Sequence, residues 1–152
     1  MLRIGSFSRG GAIDEESLQI DLGYAPPVKP VILVVDDEPS LQTLIQATLA
    51  SDYRIISAFN AQEGISKAES IRPDLIIMDV MMPGPNGFEA IKLLSSNSAT
   101  RAIPVVVLTA RDFEPSTIKM IKQESNVVAY LPKPFKPNDL REALKKVIDS
   151  KK

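Results

Sequence analysis

The chain has 152 residues, 44% of them hydrophobic and 24% charged, which is enough for one buried core with a tail and too little for two ordinary domains. Its net charge of −1 lacks the broad basic field that draws proteins onto phosphate backbones, so no direct nucleic-acid partner is expected. Cysteine and histidine are both absent, which excludes disulfides, thiol catalysis and imidazole chemistry and leaves carboxylates, hydroxyls, lysine or a bound cation to carry any reaction.

Residues 1–29 differ from the rest in composition: four glycines, serines at 6, 8 and 17, the acidic cluster Asp14-Glu15-Glu16, then Pro26-Pro27. They read as a flexible N-terminal extension to a folded domain over residues 30–152. A sharper reading rests on Leu18, Ile20, Leu22 and Tyr24, whose alternation suits an added edge strand or a docking segment. No apolar run approaches the roughly 18 residues that span a bilayer, and the N-terminus lacks a signal-type apolar core. The expectation is a soluble, cytoplasmic chain with no membrane partner.

Val31-Ile32-Leu33-Val34-Val35 suits a strand buried on both faces and ends in Asp36-Asp37-Glu38. Pro39 then opens a helix with Leu41, Leu44, Ile45, Thr48 and Leu49 on one face. Tyr53 to Phe59 reads as an edge strand, and Asn60 with Glu63 as a capping box starting a helix that ends by Arg72-Pro73. Leu75 to Met78 is a third strand, stopped by Asp79 and the turn-rich Pro83-Gly84-Pro85-Asn86-Gly87. Phe88, Ile91 and Leu94 or Ser95 mark a third helix, and Ile103 to Leu108 a fourth strand ending in Thr109-Ala110. Residues 114–124, with Ile118 and Ile121, give a fourth helix, and Val127 to Leu131 a fifth strand ending at Pro132-Lys133-Pro134-Phe135. Asn138 is placed to cap a last helix with Leu140, Leu144, Val147 and Ile148 on one face. Five strands alternating with five helices imply a doubly wound α/β fold, a parallel sheet with helices on both faces.

Open α/β sheets bind ligands at the carboxyl ends of their strands. There this pattern gathers Asp36-Asp37, Asp79, Thr109 and Lys133. Three carboxylates so close repel one another unless protonated or bridged by a cation, and their hard oxygens suit Mg²⁺. Mg²⁺ beside Asp79 would hold a phosphoryl oxygen while the Thr109 hydroxyl and the Lys133 ammonium bind others, leaving Asp79 as the nucleophile. No glycine-rich loop of Walker type is present, so a nucleotide is not the evident donor.

Val35-Asp36-Asp37-Glu38-Pro39, Met78-Asp79 with Met82-Pro83 and Asn86-Gly87, Leu108-Thr109-Ala110 and Lys133-Pro134-Phe135 together resemble the receiver domain of two-component response regulators, over residues 30–150. The resemblance implies a flavodoxin-like fold with strand order 2-1-3-4-5. It implies Asp79 as phosphoacceptor and Asp37 as direct Mg²⁺ ligand, with Asp36 acting largely through water and the Met81 backbone carbonyl completing the protein's ligands. It implies Thr109 and Tyr130 as the switch pair, Lys133 as the cation at the phosphoryl group, and a cis Lys133-Pro134 bond. The sequence departs from the family pattern in three places: Thr109 to Lys133 spans 24 residues, about two more than the pattern; Asn126-Val127-Val128-Ala129 replaces the Gly-Ala-Asp-Asp-like approach to the fifth strand; and Asn86 stands where Asp is frequent.

The expected function is a stand-alone response regulator, a phosphoacceptor switch and not an enzyme in the ordinary sense. Its expected partners are a histidine kinase or histidine phosphotransfer protein and a downstream protein target, with homodimerisation open. Because the chain ends just after its fifth helix, output is expected through protein contacts. A phosphorylation-independent adaptor on the same scaffold is the alternative, motivated by residues 111–129 and the N-terminal extension. A phosphatase built on an aspartyl nucleophile is disfavoured because Met81 stands where a second acid would be needed.

Overall fold

The computed structural model describes residues 28–81, 87–110 and 114–150. The extension up to Pro27, including the alternating 18–24 stretch, the turn 82–86 with Asn86, and residues 111–113 lie outside the described residues.

Five strands, β1 (Val31–Val35), β2 (Arg54–Ala58), β3 (Leu75–Asp79), β4 (Val105–Ala110) and β5 (Val127–Lys133), form one parallel sheet in the order β2-β1-β3-β4-β5. Helices α1 (Pro39–Leu49), α2 (Ala61–Ile71), α3 (Gly87–Ser96), α4 (Pro115–Lys122) and α5 (Pro137–Ser150) alternate with them. The expected doubly wound fold and strand order are what the structure has.

Period-two alternation along the central strands divides the core into two layers. Leu33, Val35, Ile76, Met78, Val105 and Val107 pack against Ala61 and Ala68 of α2, Ile91 and Leu94 of α3, and Ile121 of α4. Ile32, Val34, Leu75, Ile77, Val106 and Leu108 face Ile45 and Leu49 of α1 and Leu140 and Leu144 of α5. Every residue of β3 is buried, and each large apolar side chain so placed contributes about 1.5–3 kcal/mol. The strand carrying Asp79 is thus held from both faces.

Several boundaries differ from expectation, each for a local reason. β4 continues through Thr109-Ala110 because β5 continues opposite it, with Thr109 paired to Pro132 and Ala110 to Lys133. Pro132 is tolerated because β5 is an edge strand and needs only one side of its backbone for pairing. The register of β4 against β5 shifts between Val105, opposite Val127, and Val106, opposite Ala129, so the Asn126–Ala129 stretch carries a β-bulge at Val128. On α1, Leu44 is 43% exposed, and Gln42 takes the buried place. α5 begins at Pro137, so Asn138 lies inside the helix and accepts from Arg141 Nη1 (3.0 Å), while Asp139 Oδ2 accepts from the Lys136 N–H (3.2 Å) at the helix start.

The start of α2 is close to what the sequence implies. Asn60 Oδ1 accepts from the Glu63 N–H (2.8 Å), while Glu63 reaches back to the Phe59 N–H (2.6 Å), one residue before the cap. Asn60→Ala should therefore lower stability by about 1 kcal/mol, read as a shift in the urea midpoint at unchanged slope. An unchanged midpoint would mean that the cap contributes nothing.

Candidate functional site

The carboxyl ends of β1, β3 and β5 bring the site together. Asp36, the first residue after β1, is fully buried. Its backbone N–H donates to the Ala58 carbonyl (3.0 Å), and its Oδ1 accepts from the Glu38 N–H (2.8 Å). Gln42 secures the same turn from beneath: its amide lies 3.0 Å from the Val34 carbonyl, 3.1 Å from that of Asp36 and 2.9 Å from that of Ala58. One side chain of α1 thereby ties the end of β1 to β2 and fixes where Asp36 points.

Asp79 ends β3 and is only 2% exposed. Its Oδ1 accepts from the Met81 N–H (2.8 Å), and the Val80 N–H donates to the Leu108 carbonyl (3.2 Å), so both the side chain and the chain beyond it are anchored. A Cβ on Gly87, the first residue of α3, would overlap the Asp79 carbonyl, so only glycine allows that helix to start against the end of β3.

Lys133 spans the two acids. Its Nζ lies 3.1 Å from Asp79 Oδ2 and 3.2 Å from Asp36 Oδ2, and the Lys133-Pro134 peptide bond that follows is cis. Burial pushes the Asp36 carboxyl up to about 6, against the downward pull of the Glu38 N–H, and the Asp79 charge adds to the rise while Lys133 opposes it. Burial alone would lower the Lys133 ammonium, yet the facing charges of Asp79 and Asp36 outweigh it, so Lys133 titrates above the usual lysine range.

Asp37 is exposed, and one carboxylate oxygen each from Asp36, Asp37 and Asp79 lie within 4.8 Å of one another. Three hard anionic oxygens against one ammonium leave an excess of negative charge, a donor set that suits a divalent cation such as Mg²⁺. Thr109 sits on β4 one residue beyond Leu108, the partner of Asp79 in the sheet. Its hydroxyl is buried and has no hydrogen-bond partner among the described residues, so it is free to donate to a group placed beside Asp79. Tyr130 is directed outward: it is 36% exposed, and the Lys122 ammonium lies 4.4 Å from its ring centroid. Asp36, Asp37, Asp79 and Lys133 are thus brought together, Thr109 stands on the neighbouring strand, and Tyr130 remains at the surface. Sequence reasoning passed over Gln42 and also Asn126, whose amide donates to the Ile91 carbonyl (3.1 Å) and ties α3 to the entry of β5.

The model of the response regulator receiver domain matches residues 32–145. The chain belongs to this family. As a receiver it is 34% identical to Protein PilH of Pseudomonas aeruginosa over 118 residues, covering 77% of this chain and 96% of PilH. It is 39% identical to the alkaline phosphatase synthesis transcriptional regulatory protein PhoP of Bacillus subtilis over 118 residues, 77% of this chain but 48% of that protein. Similarity to hybrid signal transduction histidine kinase D of Dictyostelium discoideum, 38% over 112 residues, covers 74% of this chain and only 7% of the kinase. The chain therefore spans half or less of two of these relatives and nearly the whole of PilH. Among solved structures, chemotaxis response regulator CheY4 of Vibrio cholerae superposes with a TM-score of 0.73 at 31% identity, over 79% of this chain and 99% of that one. The receiver domain of sensor histidine kinase PA1611 from Pseudomonas aeruginosa, solved with a magnesium ion coordinated in its active site cleft, gives 0.72 at 31% identity, over 80% and 99%. Receivers are phosphoacceptor modules of two-component signalling, and this chain is one of them. Among the described residues no helix is long and apolar enough to cross a membrane.

Proposed function

We propose that this receiver is a cytoplasmic, single-domain switch, with residues 30–152 as the working domain and residues 1–29 as an N-terminal extension to it. Asp79 takes a phosphoryl group from the phosphohistidine of a histidine kinase or phosphotransfer protein. The observation that supports this most is the bridging of two buried acids, Asp36 and Asp79, by one ammonium.

A carboxylate oxygen of Asp79 attacks phosphorus in line with the leaving imidazole. The new P–O bond forms as the P–N bond breaks, and the imidazole nitrogen keeps the electron pair and is protonated from solvent. Lys133 exchanges an aspartate contact for a phosphoryl oxygen, and Thr109 donates its unpartnered hydroxyl to another. Asp36, Asp37, Asp79 and the Met81 carbonyl would hold Mg²⁺, which when bound neutralises charge on the transferring group. Drawing Thr109 toward the phosphoryl group opens the way for Tyr130 to leave its place under Lys122 and change the surface offered to a downstream protein. The chain acts as an acceptor and a switch, and it turns over no substrate apart from its own phosphate. The bridged acids with the orphaned Thr109 hydroxyl weigh against a scaffold that ignores phosphate.

The test is to incubate the full chain with Mg²⁺ and acetyl phosphate and trap the acyl phosphate by borohydride reduction. One phosphate per chain is expected, with the reduced residue mapping to Asp79. Modification at Asp36, at Asp37 or at a hydroxyl, or no uptake at all, would overturn the assignment.

A further inference from the structure

A cleft of about 520 Å³ opens between the start of β5 and the C-terminal half of α5, away from the carboxylates. Ala102 and Pro104, which lead into β4, line it together with Ala143 and Val147 of α5. Val128, at the bulge in β5, lines the cleft and is 50% exposed. Lys146 is the charged residue in its wall, with the exposed Lys145 beside it.

All five strands are parallel, so the residues preceding each strand share one rim of the sheet. Pro30 before β1 is therefore on the same rim as Ala102 and Pro104. The incoming chain also lies on the α5 side: Lys29 Nζ donates to the Ala50 carbonyl (3.4 Å) at the end of α1, and α1 packs against α5. From β1 across β3 and β4 to β5 is three strand spacings, about 14 Å. Six residues of extended chain, the separation of Val28 from Leu22, span about 20 Å. The chain between Val28 and the alternating apolar stretch is thus long enough to span to the cleft, and Asp14, Glu15, Glu16 and Asp21 carry charge opposite to that of Lys145 and Lys146.

We propose that residues 18–22 of the chain's own N-terminal extension dock in this cleft as an extended segment, with Leu18, Ile20 and Leu22 against Val128, Ala143 and Val147. A partner that uses the β5–α5 edge then has to displace the extension first. The inference stands apart from the phosphoacceptor reading, since no residue of the acidic site takes part in it.

The absence of cysteine makes the test direct. Full-length chain carrying Ile20→Cys with Val128→Cys is oxidised mildly and compared with Ile20→Cys paired with Gln62→Cys, on α2 across the sheet. If the segment docks, an intramolecular disulfide forms at least about tenfold faster in the cleft pair, because the effective concentration is higher there. Adding Lys146→Glu and Leu22→Asp should remove that advantage. Ser150→Cys, at the cleft wall, replaces Val128→Cys if the latter shifts the melting curve. Equal rates for the two pairs, or disulfides that link two chains, would overturn the proposal.

Discussion

Gly87→Ala is expected to destabilise the folded chain by about 3 kcal/mol, at the upper end of overpacking effects because backbone and not side chain is struck. The added methyl would overlap the Asp79 carbonyl and come within 2.9 Å of the Val80 Cα. Neither can turn away, since the Val80 N–H is bound to the Leu108 carbonyl and Asp79 is the last residue of a strand buried along its length. Gly64 supplies the comparison. A Cβ there would lie 2.7 and 2.9 Å from the two methyls of Val35, a collision with a side chain that has another rotamer to explore. Alanine also gains about 1 kcal/mol of helix propensity within α2, so Gly64→Ala should cost distinctly less. Urea unfolding of the two variants checks the order, and a Gly87→Ala chain as stable as the wild type would show that the start of α3 does not press on Asp79. Phosphate uptake by Gly87→Ala should be slowed as well, because the substitution moves the backbone from which Asp79 projects.

Much of this arrangement is legible before any coordinates. Runs such as Val31–Val35 and Leu75–Met78 are short, β-branched or aliphatic, and stopped by acids, so strand and site residue are signalled together. The rim of Asp36, Asp37, Asp79, Thr109 and Lys133 follows once the sheet is parallel. What stayed hidden depends on distance through space. Gln42 is polar at a position where helical periodicity asks for an apolar residue, and only the three carbonyls gathered at the end of β1 give it a reason to be buried. By spacing Leu44 belongs to the apolar stripe, yet it is 43% exposed while Ile45 and Leu49 beside it are buried. The glycines at 64 and 87 carry no local signal of a close approach, because what they avoid belongs to β1 and β3. The bulge at Val128 depends on the register between β4 and β5, which neither strand encodes by itself.

Asp36→Asn should raise stability at neutral pH by about 2–3 kcal/mol in the absence of divalent cations, with the gain vanishing in acid. In the folded chain burial lifts the Asp36 carboxyl from 3.8 to about 6. The native state therefore holds this proton more tightly than the unfolded state does, and stability falls as pH rises from about 4 to about 6. Above that range the charged Asp36 is buried at full disadvantage, which the carboxamide avoids while still able to accept from the Glu38 N–H. Lys133 keeps its bond to Asp79 in the variant, and its raised pKa keeps the ammonium charged throughout this range. Urea unfolding at those two pH values in EDTA gives the comparison. A gap that does not change with pH, or a variant less stable than the wild type at pH 7.5, would mean that burial of the Asp36 charge is not what the fold works against. Adding Mg²⁺ at pH 7.5 should then narrow the difference from the other side, stabilising the wild type by mass action and the variant less, because the variant has lost one of the three carboxylates that would hold the cation.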